Sequence, residues 1–167
     1  MKKEYTMRID DILKPECMMH HVNATTKEEA LTIMADRLYD LGYVKETFRD
    51  AILDREAHYP SGLPMEEDKI AIPHTDAEHV NQSVICFAQL ASPVDFSVMG
   101  DPSQTVSVQM ISMFALKEKK EIGHLLEILI TTYQDAELLR NLKESNDTQH
   151  LYQLLREHIG THMESTT

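Results

Sequence analysis

The sequence predicts an α/β (α+β) domain, a three-layer sandwich in which a central mixed β-sheet carries helices on both faces. Three observations lead there. Residues 83–90 and 106–116 are apolar runs too continuous for one-sided strands, as expected where a sheet is covered on both faces. Segments of helical period stand before, between and after these runs. Between them lies the short string Ile70-Ala71-Ile72-Pro73-His74, which reads as a strand brought to a stop.

The elements follow in chain order. Thr25-x-x-Glu28 and Thr26-x-x-Glu29 are overlapping capping-box patterns. Leu31, Met34, Leu38 and Leu41 follow at helical spacing until Gly42 supplies a C-terminal stop. A second helix is expected from Lys45 to Tyr59, ended by Pro60, and a turn-like run Pro60-Ser61-Gly62-Leu63-Pro64 comes next. Strands are expected over 70–72, 83–90 and 106–116, with turn signals at Ser92-Pro93-Val94 and Gly100-Asp101-Pro102. The spacing of Ile122, Leu125, Leu126, Leu129 and Tyr133 predicts a helix over 120–133, and two more are expected over 135–142 and 147–159. The chain thus divides into a flexible tail over 1–8, one domain over 9–159 and a flexible tail over 160–167.

Composition narrows the class. With 167 residues, 42% of them apolar and 26% charged, the chain suits one globular domain with a sizeable core. No signal-like segment or 18-residue apolar stretch is present, which predicts a cytoplasmic protein without membrane insertion. A formal net charge of −12 argues against a nucleic-acid surface, although it can steer a basic protein partner. Cys17 and Cys86 are too few for a disulfide framework or zinc ribbon, and Cys86 lies in an apolar run as a small hydrophobe. A nucleophile elbow, a P-loop and a dinucleotide fingerprint are all missing from the sequence, so no nucleotide or other cofactor is expected.

The candidate site begins at His74. Pro73 fixes φ, lacks an N–H and biases Ile72 towards extended backbone, so the strand stops with His74 at its mouth. That is the edge at which open α/β sheets place their sites, although a polar residue at a strand end needs no function. Arg55 falls on the helical stripe of Phe48, Ile52 and Tyr59. A guanidinium there either snorkels, pairs with a carboxylate such as Glu66 or Glu67, or faces an anion that comes and goes. His124 opens a buried helix near the same sheet edge, where a satisfied structural histidine is the commoner case. His74, Asp76 and His79 are metal-capable types, which leaves a metal-dependent hydrolase as a remote alternative, but no zincin string supports a metal.

The strings Arg55-Glu56-Ala57-His58-Tyr59-Pro60-Ser61-Gly62-Leu63-Pro64 and Ile70-Ala71-Ile72-Pro73-His74-Thr75-Asp76 together resemble enzyme IIA of the sugar phosphotransferase system (PTS). The likeness is to the fructose/mannitol superfamily (EIIA type 2), nearest its galactitol-type branch, and spans about Ile9 to Ile159. Thr75 stands where fructose/mannitol members carry a very small residue. The resemblance implies a phosphohistidine at His74, Arg55 beside it and His124 flanking it in Glu121-Ile122-Gly123-His124-Leu125-Leu126. Asp76 and His79 would flank the site or form a docking rim. It further implies a protein-to-protein relay without metal or cofactor. Phospho-HPr would be the donor and a cysteine of a cognate enzyme IIB the acceptor, in a system with a membrane IIC. A regulatory module read by a transcription factor or kinase is the alternative use of the same fold.

Overall fold

The computed structural model describes residues 7–165. Its four strands, β1 (Leu13–Val22), β2 (Ile70–Ala71), β3 (Val84–Val98) and β4 (Asp101–Ala115), form one mixed sheet in the order β1-β3-β4-β2. β1 runs parallel to β3, β3 antiparallel to β4, and β2 parallel to β4. The helices are α1 (Ile9–Ile12), α2 (Lys27–Asp40), α3 (Phe48–His58), α4 (Ile122–Thr132), α5 (Ala136–Glu144) and α6 (Thr148–Ser165). α2 lies on β1 and β3 and packs against α3, while α6 covers β1 and gathers α4 and α5. Helices therefore flank both faces of the sheet, and residues 84–90 of β3 are buried without interruption.

Local chemistry sets the boundaries that matter for the site. The Thr26 hydroxyl accepts from Glu29 N at 3.1 Å and caps α2. At the other end Gly42, with φ +86°, lets Gly42 N reach Tyr39 O and Tyr43 N reach Leu38 O, the paired bonds of a Schellman stop. Pro60 then ends α3 at the sheet's edge.

Several expectations are corrected. β1 was not legible, because Pro15 and Lys14 break its alternation and its register against β3 slips twice. An edge position tolerates that proline. Ser92-Pro93 is no turn: it lies inside β3 at an irregularity between Gln89 and Val94, and the chain reverses at Met99–Gly100, where Gly100 has φ +81°. The run Pro60–Pro64 is likewise more than a turn. Leu63 N donates to Ile70 O, Ile72 N to Ser61 O and Met99 N to Gly62 O, so this segment covers β2 and pins the hairpin tip.

The ends also differ from the expected tails. Met7 is buried, and Arg8 opens α1. Gly160 does not stop α6: the helix runs through it beside α1, where a Cβ would make an ordinary van der Waals contact with Ile9 Cγ2 at 3.4 Å. The remaining expected tail residues, 1–6 and 166–167, lie outside the described residues. No helix among the described residues is long and apolar enough to cross a membrane.

Candidate active site at the mouth of the second strand

β2 is only two residues long, yet its backbone continues in register. Phe114 N on β4 donates to Pro73 O at 3.1 Å, which carries His74 to the end of the ladder. The His74 ring stacks on Phe114 with centroids 4.6 Å apart and planes 13° from parallel. Its Nδ1 lies 3.1 Å from Ile72 O. A carbonyl can only accept, so Nδ1 holds the proton and Nε2 keeps its lone pair. Burial pushes the imidazole pKa below its usual value, the Ile72 carbonyl opposes that, Arg55 lowers it further and Asp76 opposes. The ring is therefore neutral near pH 7.

Arg55 comes from the last turn of α3. Its guanidinium carbon stands 4.9 Å from the centroid of the Tyr59 ring. The carboxylate partner is Asp76, at 3.8 Å from Nη1, not Glu66 or Glu67. That pair is long and solvent-facing, with 37% and 69% of the two side chains exposed, so it contributes little. Arg55 Nε is buried and bonded to nothing. A buried charged donor without a partner is costly unless an acceptor arrives.

Around these groups runs a cleft of about 370 Å³. α3 and its C-cap supply Arg55, His58, Tyr59 and Pro60, the hairpin tip supplies Met99, Gly100 and Pro102, and α4 supplies Leu126. A second recess, of about 250 Å³, shares Arg55, His58 and Tyr59 with the first and adds Thr75, Asp76 and His79. Thr75 is buried in its wall. His79 is held by Thr47, with Nδ1 2.8 Å from the hydroxyl. His74, Arg55 and Asp76 are thus brought together, and His79 stands at the adjoining recess.

His124 lines neither recess: it is half-buried in the first turn of α4, two residues before Leu126, the α4 side chain that lines the cleft. Nor do His74, Asp76 and His79 make a metal site: among the described residues no group of three or more His, Cys, Asp or Glu is placed to hold an ion. Both cysteines are buried, and desolvation raises the Cys17 thiol to about 12, so neither resembles a reactive thiolate.

Glu56 was missed. Phe48, Ile52 and Glu56 recur at four-residue intervals and all are buried, so the third place on the core face of α3 belongs to an acid rather than to Tyr59, which is 67% exposed. The spacing from Ile52 carried that signal. The Glu56 carboxylate accepts from Ser61 N and from Ser61 Oγ, each at 2.7 Å.

Residues 11–158 match the family described as phosphoenolpyruvate-dependent sugar phosphotransferase system, EIIA 2. The chain belongs to this family. Among curated members it is 27% identical over 128 residues to the galactitol-specific EIIA component of Escherichia coli K12, covering 77% of this chain and 85% of that protein. It is also 26% identical over 158 residues to the nitrogen regulatory protein of the same organism, covering 93% and 94%. The fold matches enzyme IIA in a solution structure of the E. coli mannitol IIA with phosphorylated mannitol IIB, with TM-score 0.71 and 23% identity over 87% of this chain and 99% of that one. This EIIA protein therefore has both a sugar-specific and a regulatory relative at similar identity.

Proposed function

We propose that this protein accepts a phosphoryl group on His74 Nε2 and passes it on, as enzyme IIA of a sugar phosphotransferase system. The observation that carries the reading is the ring itself, neutral by burial and held through Nδ1 by the Ile72 carbonyl, with a free Nε2 at an apolar cleft. Donor and acceptor follow from the family: phospho-HPr supplies the group, and a cysteine of a cognate enzyme IIB receives it, in the cytoplasm.

In the first step the Nε2 lone pair attacks phosphorus while the donor's P–N bond breaks and its electron pair returns to the donor nitrogen. His74 keeps its Nδ1 proton, and the Ile72 carbonyl steadies the positive charge that grows on the ring. Arg55, partly exposed at the cleft, offers the planar fork of its guanidinium to the phosphoryl oxygens. Asp76, paired loosely at 3.8 Å, can release it. In the second step the thiolate of IIB attacks phosphorus and the His74 P–N bond breaks. His124 is assigned a supporting hydrogen bond to the phosphoryl group from the margin of the site, and Asp76 and His79 form its rim. The Arg55–Pro64 and His74–His79 strings lean towards the galactitol-type branch, and the sugar-specific relative supports that lean.

A regulatory module is the second reading, favoured by the nitrogen regulatory relative that spans 93% of this chain. One experiment separates the two. The protein is charged with enzyme I, HPr and phosphoenolpyruvate, then offered purified IIB proteins of galactitol and mannitol type. Discharge to a IIB supports transport; charging at His74 without discharge to any IIB supports regulation. Label that survives His74→Ala contradicts both.

A further inference from the structure

The proposed relay leaves Glu56 without a task, although a buried carboxylate is costly to keep. Its two oxygens take the N–H and the hydroxyl of Ser61. The Ser61 carbonyl accepts from Ile72 N at 3.1 Å. The Ile72 carbonyl in turn accepts from His74 Nδ1 at 3.1 Å. Hydrogen bonds linked through the backbone of Ser61 and of Ile72 therefore lead from the buried acid on α3 to the ring nitrogen that must hold the proton. The N–H and C=O of Ser61, like those of Ile72, lie in different peptide units on either side of a Cα, so what the contacts pass along is position and not polarisation.

The rest of the segment is held by backbone alone, through Leu63 N to Ile70 O and Gly62 N to Ser97 O. A purely structural clamp would need nothing more. Glu56 instead holds the residue whose carbonyl bonds Ile72, and the Ile72 carbonyl is the group that holds the His74 ring.

We propose that Glu56 is a positioning residue: by anchoring the backbone of Ser61 it places Ile72, whose carbonyl fixes the Nδ1–H tautomer of His74 and leaves Nε2 free to attack. This inference rests on the reading of His74 as the phosphoryl acceptor. The charged groups acting on the carboxylate are Lys27 of α2 and Arg55 of α3. Burial outweighs them and raises its pKa to about 7, so the acid changes state near neutrality. Ser61 can serve both states, because its hydroxyl either donates to the carboxylate or accepts from the acid while its N–H keeps the other oxygen.

The test uses the full-length protein and two readouts. Long-range ¹H–¹⁵N NMR of the His74 ring reports the tautomer, and single-turnover phosphorylation by phospho-HPr reports the rate and the donor dependence. Glu56→Gln, whose amide can accept from Ser61 N and donate to Ser61 Oγ, keeps the Nδ1–H signature and a rate close to wild type. Glu56→Ala mixes the tautomers and slows the step roughly 10- to 100-fold at saturating donor, with unchanged half-saturation. A folded Glu56→Ala protein with the wild-type ring signature and rate overturns the proposal. Should that variant fail to fold, Glu56→Asp replaces it, since its carboxylate is one methylene short of reaching both Ser61 groups, and the same two outcomes decide. A wild-type protein never phosphorylated at His74 defeats the functional reading alone, because the NMR arm still decides what Glu56 does to the ring.

Discussion

Two hollows in this molecule make opposite use of charge. The larger, about 640 Å³, lies between α1 and the end of α6. There Arg156 grips Asp10 through two bonds of 2.8 and 3.2 Å, and this hydrogen bond holds the Asp10 carboxyl below its usual range. The smaller, about 370 Å³, is lined by His74 and by Arg55, whose buried Nε has no partner. Size points to the first and chemistry to the second. A paired acid and base have used up their capacity to bind, whereas an unpaired donor beside a neutral imidazole has kept it.

The comparison predicts that damage on the α6 side harms folding and damage at the cleft harms chemistry. The largest expected effect on stability is at Leu155, fully buried on α6. Leu155→Ala is expected to cost about 2–5 kcal/mol in chemical denaturation and to leave transfer per folded molecule unchanged. Arg55→Ala is the reverse case: transfer falls about 10²- to 10³-fold while stability changes by less than about 1 kcal/mol. Arg55→Lys restores only part, because a point charge lacks the planar fork. Removing this guanidinium also takes away one influence that lowers the His74 pKa, so ring titration by NMR should move upwards. Normal transfer with a collapsed melting temperature would return Arg55 to a structural role.

Glu56 sharpens the contrast through pH. Its folded pKa, about 7, lies above the ordinary 4.5, so the folded protein holds the proton more tightly than the unfolded chain. The contribution is complete below the unfolded value and is lost as pH rises from about 4.5 through about 7, a span worth on the order of 3 kcal/mol. Denaturation at a series of pH values should show that decline in the wild type and a flatter curve in Glu56→Gln. His124 carries the smallest expected effect. His124→Ala should slow single-turnover transfer about tenfold or less, the worth of one ordinary hydrogen bond of about 0.5–1.5 kcal/mol. A loss as large as that of Arg55→Ala would bring His124 into the cleft.

Sequence revealed most where a residue's role is enforced locally. Thr26 caps α2, Gly42 stops it, and Pro73 brings β2 to an end just before His74, all for reasons contained within a few residues. It revealed least where tertiary contact decides. β1 has no alternation because its polar residues face outwards at an irregular edge, and its pairing comes from β3. Gly160 is a helix breaker by propensity, yet it lies buried inside α6 beside Ile9 of α1. At the site, the likeness pointed to His74 and Arg55, which the fold brings to one cleft. It could not tell that the ion-pair partner of Arg55 is Asp76, nor that the neighbouring Glu56 is buried against Ser61. Those contacts join segments whose relative placement only the folded sheet sets.

The most direct measurement locates the phosphorus atom. The protein, labelled with ¹⁵N in its histidines, is charged by phosphoenolpyruvate, enzyme I and HPr, and the ³¹P–¹⁵N coupling is read on the His74 ring. Phosphorus on Nε2 of His74, with Nδ1 still protonated, is the result the geometry requires. Phosphorus on Nδ1, on another histidine, or on none would contradict it.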